Sequence, residues 1–277
     1  MELDIIRWIQ SFHHGFWDNF FTFITMLGEE VFLFLTLTYL YWNVDKSLGK
    51  YIAYSAITGI NLNGVLKSIF NFPRPIGEEG IRTLRAETAT GSSFPSGHTQ
   101  GSASVLFSLS LWIRKRLFTI ASVALVALVA LSRLYLGVHY PKDVLAGGIL
   151  GFLSSWVCLM LYQRFTNKSR LFFITFLLFC PFLLIAGGMD DFIKSLGLFG
   201  GLAAGNLTEE KYVNFQIPTR LLKKLLRWIL GLVIILILKE GLKVLFPVLP
   251  IFSFLRYFLI SFTTIGLYPL LLKKIRL

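Results

Sequence analysis

The chain has 277 residues, of which 55% are hydrophobic and 16% aromatic, and its 27 lysines and arginines against 15 acidic residues give a formal net charge of +12. A soluble domain of average composition is far more polar, so this composition excludes an ordinary soluble fold and predicts a polytopic membrane protein. The basic residues cluster in short segments between apolar runs, which is typical of membrane topology and disfavours nucleic acid as a partner.

The N-terminal stretch, residues 1–26, mixes apolar and aromatic side chains with charged ones. This mixture is too polar to cross a bilayer and favours a segment that lies in the membrane interface. Gly28 interrupts the pattern. We expect the first span to begin with Glu29 and Glu30, because carboxylates are favourable in the first turn of a helix.

Nine apolar runs follow along the chain. A helix needs ~20 residues that rise ~1.5 Å each to cross the hydrocarbon core. The expected spans are residues 27–43, 50–70, 95–113, 117–137, 142–163, 171–189, 192–207, 226–246 and 251–272. The sequence therefore predicts an all-α polytopic membrane helical bundle of about nine spans in a single domain, residues 1–277.

Two of these runs have irregular features. Pro181 lies inside the sixth run and should kink it. The seventh run is short and rich in glycine, so we expect it to cross only as a closely packed helix. Its expected contact points are Gly197, Gly200, Gly201 and Gly205.

The basic residues predict the orientation of the bundle. They are concentrated in five segments, residues 45–50, 114–116, 164–170, 220–227 and 273–276. Basic loops stay on the cytoplasmic side, and nine spans place all five segments there. The sequence therefore predicts an integral protein of a plasma membrane, such as a bacterial inner membrane, with the N-terminus outside and the C-terminus in the cytoplasm.

Three short polar motifs lie at the expected outer ends of spans two to five. They are KSIFNFPRP at residues 67–75, PSGH at 95–98 and SRLYLGVHYPKD at 132–143. Lysine and arginine are normally concentrated at the cytoplasmic ends of spans, so cations at the outer ends are unexpected. Ionisable residues near the membrane interior usually mark a site or a pathway. We therefore expect the three motifs to form one functional site that faces outside.

The third motif joins a histidine to a carboxylate at a helix start. Pro141 favours the first turn of a helix, so His139 should lie just before the fifth span, with Asp143 one turn inside it. A carboxylate there can accept a hydrogen bond from one imidazole N–H. That bond would fix the tautomer and leave the other ring nitrogen without a proton. Each residue also has an ordinary structural interpretation, Asp143 as a helix-start carboxylate and His139 as an interfacial polar side chain.

The second motif suits the start of another helix. Serine is a common N-cap, which fits Ser96, and Gly97 lets a ligand approach the backbone closely. Free amides at a helix start bind anions, so a phosphoryl oxygen could contact Ser96 and the amides of Gly97 and His98. As an isolated residue, His98 would more often be structural.

Three cations accompany these groups. Arg74 and Arg133 suit bidentate phosphate contacts, and Lys67 supplies a point charge. Each could instead anchor a helix end or pair with a carboxylate. Their position on one side of the membrane, together with two histidines and an anion-binding helix start, favours a shared phosphate site over independent structural roles.

Together, the three motifs resemble the three-part signature of the type 2 phosphatidic acid phosphatase superfamily, which also includes glucose-6-phosphatase and vanadium haloperoxidases. We place the corresponding catalytic core in spans two to five, residues 50–163, and accessory spans at 170–272. The resemblance implies that His139 is the nucleophile, that Asp143 orients it and that His98 transfers protons. The implied phosphate-binding residues are Lys67, Arg74, Ser96, Gly97 and Arg133, with neither metal nor cofactor.

The expected function is metal-independent hydrolysis of a lipid phosphate monoester or diphosphate, of the phosphatidate, phosphatidylglycerophosphate or undecaprenyl diphosphate type, through a phosphohistidine. A site at the outer interface would let the lipid chain stay in the bilayer, so phosphorylated lipid and membrane lipids are the expected partners. A glucose-6-phosphatase-like sugar phosphatase is the enzyme alternative, and phosphate transfer to another lipid is a third possibility. The non-enzyme alternative is a lipid carrier or channel lined by buried charges.

Overall fold

The computed structural model describes residues 1–275, so Arg276 of the last basic segment and Leu277 lie outside the described residues. Within that range the chain forms helices and no strand, which confirms the predicted all-α class. The α-helices are α1 Glu2–Gln10, α2 Gly15–Met26, α3 Glu30–Asn43, α4 Lys46–Phe70, α5 Gly97–Ile113, α6 Arg116–Tyr135, α7 Pro141–Arg164, α8 Lys168–Phe179, α9 Leu183–Ala186, α10 Asp190–Thr208, α11 Leu221–Leu245, α12 Pro250–Phe262 and α13 Tyr268–Ile275. Two 3-10 turns, Ala86–Thr88 and Cys180–Phe182, and two π-helical segments, Glu209–Val213 and Thr263–Leu267, complete the helical elements.

Helix occupies most of every run that the sequence marks as a span. By length and composition, four helical stretches of the described chain could each cross a membrane, namely Arg116–Tyr135, Pro141–Arg164, Lys168–Ala186 and Pro250–Ile275. The pair α2 and α3, bent by 47° at their junction, passes the same test together. Residues 15–26, the second half of the interfacial segment expected at residues 1–26, thus form a helix whose many apolar and aromatic residues let it pass the test together with α3.

The chain divides into two compact units. The first comprises Met1–Phe34 and Leu62–Val157, and the second comprises Leu35–Asn61 and Cys158–Leu277. The helices α3, α4 and α7 contribute residues to both, so the boundaries fall inside helices rather than in linkers.

In the first unit, small residues let α5 and α7 approach closely. A methyl group added to Gly147 would lie 2.7 Å from the carbonyl oxygen of Ser96. One added to Gly151 would lie 2.5 Å from Ala103 Cβ. As a result, the starts of the two helices touch, and the amide of Ser96 donates to the carbonyl of Asp143 over 3.0 Å.

In the second unit, α10 packs against α12 with similar closeness. A methyl group added to Gly197 or to Gly201 would lie 2.4 Å or 2.3 Å from a backbone carbonyl oxygen of α12. The close packing predicted for the glycine-rich run is therefore present. The sixth apolar run is also irregular, as Pro181 predicts, because the 3-10 turn at Cys180–Phe182 separates α8 from α9.

The π-helical segment Thr263–Leu267 has partners for its displaced carbonyls. A π-turn removes the regular bonds of an α-helix and leaves carbonyl groups that must be satisfied elsewhere. Trp42 Nε1 donates to the carbonyl of Thr264 over 3.0 Å, and the hydroxyl of Tyr41 donates to that of Ile265 over 2.9 Å. Two aromatic side chains at the end of α3 therefore stabilise this irregular turn.

Candidate active site

The start of α5 has the geometry that the second motif predicts. Ser96 is fully buried, and its hydroxyl oxygen accepts from the amide of Thr99 over 3.5 Å. The nearest described atom to a methyl group added at Gly97 is Asn63 Oδ1, 3.8 Å away, so the backbone is accessible there. The N-cap role of Ser96 is confirmed, and the first turn of α5 has the amides that an anion site needs.

His139 lies between a carboxylate and a guanidinium and is 1% exposed. Its Nδ1 is 3.4 Å from Asp143 Oδ2, and its Nε2 is 2.9 Å from Arg74 Nη1. Arginine only donates hydrogen bonds, so Nε2 must be the acceptor and the ring proton must be on Nδ1, facing Asp143. Burial, followed by the charge of Arg74, holds the pKa of His139 well below its usual range. The ring is therefore neutral, with Nε2 in the state that a nucleophile needs.

Asp143 is fully buried, and its Oδ2 is shared by several donors. It accepts from the hydroxyl of Ser93 and from the amide of Tyr140, 2.8 Å away. Ser93 Oγ also lies 3.5 Å from His139 Nδ1, so this serine lies beside both members of the pair. Sequence reasoning missed Ser93, because it lies on an irregular loop where no spacing rule applies. The available signal was its position in a polar pair, with Ser92, just before the PSGH motif.

Arg74 is bonded differently from the bidentate phosphate contact that the sequence predicts. Its Nε and Nη2 donate to the carbonyls of residues 90–92 over 2.7 to 3.2 Å, and its Nη1 donates to the carbonyl of Val138 over 3.0 Å as well as to His139. Burial lowers its pKa to about 10, so the guanidinium stays charged at neutral pH. In this structure Arg74 holds the 90–92 loop and the imidazole, and its contact with phosphate stays a prediction.

Arg133 has donors that find no partner among the described residues. It is fully buried, and its Nη1 donates to Thr25 Oγ1 over 2.8 Å. Its Nε and Nη2, and the Nε2 of His98, are buried without a hydrogen-bond partner among residues 1–275. An unsatisfied buried polar group costs about 1–3 kcal/mol, so several in one place indicate a ligand site. The free edge of Arg133, Nε with Nη2, is suited to two parallel bonds to a phosphate.

The eight residues predicted for the site all lie in the first compact unit. Lys67, Arg74 and Arg133 are each close enough to interact electrostatically with both His98 and His139. The structure thus brings the three motifs together, as their positions along the chain predict. A buried neutral imidazole, an orienting carboxylate and three cations can bind a phosphoryl group and attack it.

Two sequence models of known families match the chain. The model of the PAP2 superfamily matches residues 48–168, which contain all three motifs, and that of the PAP2 superfamily phosphatase transmembrane extension matches residues 193–277. The chain belongs to the PAP2 superfamily. With its apolar helices and this extension, it is an integral membrane protein.

Curated relatives and a solved structure agree with this membership. The chain is 31% identical over 199 residues to a probable sphingosine-1-phosphate phosphatase of Dictyostelium discoideum, and the match covers 67% of this chain and 48% of that protein. It is 30% identical over 178 residues to undecaprenyl-diphosphatase BcrC of Bacillus subtilis, and this match covers 62% of this chain and 88% of that protein. It therefore spans about half the length of the first relative and most of the second. The crystal structure of Aquifex aeolicus LpxE matches with a TM-score of 0.53 and 29% identity, over 57% of this chain and 94% of that one.

The PAP2 match begins at residue 48, after α1, α2 and α3. One contact to a predicted PAP2 site residue nevertheless comes from this preceding segment, because Thr25 of α2 accepts the hydrogen bond from Arg133. Sequence reasoning missed Thr25 as well, since a threonine in an aromatic helix carries no motif.

Proposed function

We propose that this PAP2 superfamily protein is a phosphatase that hydrolyses lipid phosphate monoesters or diphosphates through a phosphohistidine at His139, without a metal ion. The observation that carries the proposal is the state of His139, whose Nε2 faces Arg74 as a hydrogen-bond acceptor and whose ring lies within electrostatic range of Arg74, Arg133 and Lys67. A neutral nucleophile in positive surroundings favours attack on an anionic phosphoryl group.

In the first half of the proposed reaction, His139 Nε2 bonds to phosphorus while the bond from phosphorus to the leaving oxygen breaks. His98 gives that oxygen a proton. The Nδ1–H of His139 bonds to Asp143, whose charge stabilises the positive charge that the ring acquires. For the attack to occur, Arg74 Nη1 exchanges its bond to Nε2 for one to a phosphoryl oxygen.

In the second half, His98 takes a proton from water, the water oxygen bonds to phosphorus and the bond to His139 breaks, which releases inorganic phosphate. The equatorial phosphoryl oxygens carry negative charge throughout and need fixed donors. The proposed donors are Lys67, Arg74, Arg133, Ser96 and the amide of Gly97.

A lipid is the proposed substrate because the site lies on helices of a membrane protein. A phosphate head group can enter the site while its chain stays in the bilayer. The relatives described above are named for phosphatases of sphingosine 1-phosphate and undecaprenyl diphosphate, which are both phosphorylated lipids. These names support the substrate class and leave the head group and the chain type open.

A substrate panel tests this proposal. The panel contains four lipids, namely phosphatidate, phosphatidylglycerophosphate, undecaprenyl diphosphate and a sphingoid phosphate, together with the soluble glucose 6-phosphate. Purified protein with excess chelator should release phosphate from at least one of the four lipids. The site contains three cations, and residues 1–275 contain no group of three or more His, Cys, Asp or Glu side chains that could hold a metal ion. We therefore expect chelator to leave the rate nearly unchanged. Vanadate should inhibit, because it imitates pentacoordinate phosphorus bonded to His139.

Three results of the panel would contradict the proposal. Activity that chelator abolishes and Mg²⁺ restores would exclude the metal-independent site. Hydrolysis of glucose 6-phosphate alone would identify the sugar phosphatase alternative. Release of phosphate from none of the substrates would favour the carrier or channel.

We further propose that the chain crosses the membrane nine times and that the site faces outside. The support is the distribution of the five basic segments, which nine crossings put on one side. In a background without Cys158 and Cys180, Glu78→Cys should react with an impermeant maleimide in intact cells. Lys115→Cys, between α5 and α6, should react only after permeabilisation. Both positions are exposed, so a reversed pattern would move the site to the cytoplasmic face.

A further inference from the structure

We infer that Thr25 is a positioning residue for Arg133, so that a helix preceding the PAP2-matched region forms part of the active site. This inference rests on the proposed function. Thr25 lies in the last turn of α2 and is fully buried, and its Oγ1 is 2.8 Å from Arg133 Nη1. Residue 25 lies outside the matched region, which starts at residue 48.

The hydrogen bond determines which edge of the guanidinium remains for a ligand. Arg133 is planar and has five N–H donors in a fixed fork. With Nη1 bonded to Thr25, the Nε and Nη2 side has no partner among the described residues. That side is the one that can form two parallel bonds to a phosphoryl group. Loss of the threonine hydroxyl would free the long side chain to rotate, and the bidentate edge would be aligned only part of the time.

The helix α2 is itself anchored to the segments that carry the site. Asp18, seven residues before Thr25 on α2, accepts hydrogen bonds from Arg82 and from the hydroxyl of Tyr135. Tyr135 belongs to the same helix as Arg133, two residues further on. The position of Thr25 relative to Arg133 is therefore fixed by a charged contact as well as by its own bond.

The junction after α2 touches both site helices. A methyl group added to Gly28 would lie 2.9 Å from Val129 Cγ1 and 3.2 Å from the carbonyl oxygen of His98. Val129 lies one turn before Arg133 on α6, and His98 is in the first turn of α5. The N-terminal segment thus packs directly on the backbone of one proposed catalytic residue and supplies a side-chain bond to a phosphate-binding one.

Substitutions that separate the hydroxyl from the shape of the side chain test the inference. Thr25→Val keeps the shape and removes the acceptor, and we expect kcat/KM and the affinity for vanadate to fall by roughly 10- to 100-fold. Thr25→Ser keeps the hydroxyl acceptor, so kcat/KM and the affinity for vanadate should both stay near their wild-type values. In an Arg133→Ala background the hydrogen bond between residues 25 and 133 no longer exists. Adding Thr25→Val there should therefore change kcat/KM and vanadate affinity by no more than about twofold.

Matched controls address folding. Thr22→Val makes the same change one turn earlier on α2, at a partly exposed residue, and should behave like wild type. If Thr25→Val does not fold, Thr25→Ala removes the same hydroxyl. Wild-type vanadate affinity in Thr25→Val or Thr25→Ala would overturn the positioning role. So would a loss of vanadate affinity on Thr25→Val that is equally large in the Arg133→Ala background.

The binding measurement distinguishes this inference from the proposed function. A wild-type protein that is active, with Thr25 variants that are equally active, would refute only the positioning role. A wild-type protein that hydrolyses nothing but binds vanadate in a manner dependent on Thr25 and Arg133 would refute only the proposed function. Absence of both activity and vanadate binding in the wild type would refute both.

Discussion

His98→Ala is expected to lower hydrolysis of a lipid phosphate by about 100- to 10,000-fold and yet to form phosphoenzyme from an activated aryl phosphate. The substitution removes the group that protonates the leaving oxygen and leaves His139 unchanged. An alkoxide is a poor leaving group without that proton, whereas an aryl oxide with a low pKa leaves unaided. The defect should therefore shrink as the leaving group improves.

Rapid quench with a series of labelled aryl phosphates measures this dependence. Phosphoenzyme in His98→Ala should also last longer than in wild type, because the residue that activates water is missing. His13→Ala is a matched control, since His13 is an exposed histidine in the turn between α1 and α2. A His98→Ala defect of the same size with every leaving group would rule out proton transfer as the role of His98.

Asp143→Asn should reduce kcat by roughly 100- to 10,000-fold while the protein stays folded. The carboxylate accepts the Nδ1 proton of His139, and an amide can instead present a donor, which would favour the tautomer with Nε2 protonated. Ser93→Ala removes only the hydroxyl donor to the same carboxylate, so we expect a smaller loss of about 10-fold.

Steady-state rates with an aryl phosphate, with folding monitored separately, measure both losses. Ser92→Ala is the matched control for the serine, because the Ser92 hydroxyl bonds to backbone carbonyls rather than to Asp143. Near wild-type kcat in Asp143→Asn would contradict an orienting role for the carboxylate. Equal losses of kcat in Ser92→Ala and Ser93→Ala would mean that the loss comes from disturbing the loop that carries both serines, rather than from the bond to Asp143.

The parts of the site that depend on local chain geometry could be predicted from the sequence. Ser96 caps α5 because serine before a helical run does so in many contexts. Pro141 begins α7 and brings Asp143 within about one turn of His139, so the five residues 139–143 are enough to predict the pairing.

The parts that depend on contacts between distant segments could not be predicted. Ser93 meets Asp143 across 50 positions, and Thr25 meets Arg133 across 108. The bonds of Arg74 to the 90–92 carbonyls depend on the path of an irregular loop. Neither periodicity nor motif spacing contains this information, because it arises only when the helices pack.

The same limit applies to the fold. Apolar runs predict where helices occur, and Pro181 predicts a break, because both effects are local. The π-helical segment Thr263–Leu267 was not predicted, since it depends on donors from Tyr41 and Trp42, more than 200 positions away. Hydropathy and helix length together identify four crossing helices in the described chain, or five with the bent pair. The proposed nine-span topology therefore rests on the nine apolar runs of the sequence and on the distribution of its basic segments.

Mapping the phosphorylated residue tests whether His139 is the nucleophile. Protein quenched during turnover of a labelled aryl phosphate should carry acid-labile phosphate that maps to His139 in wild type and in His98→Ala. A folded His139→Ala protein should carry none with any leaving group, because Nε2 is the only proposed nucleophile. Label that persists in folded His139→Ala, or that maps to another residue in wild type, would exclude His139 as the nucleophile.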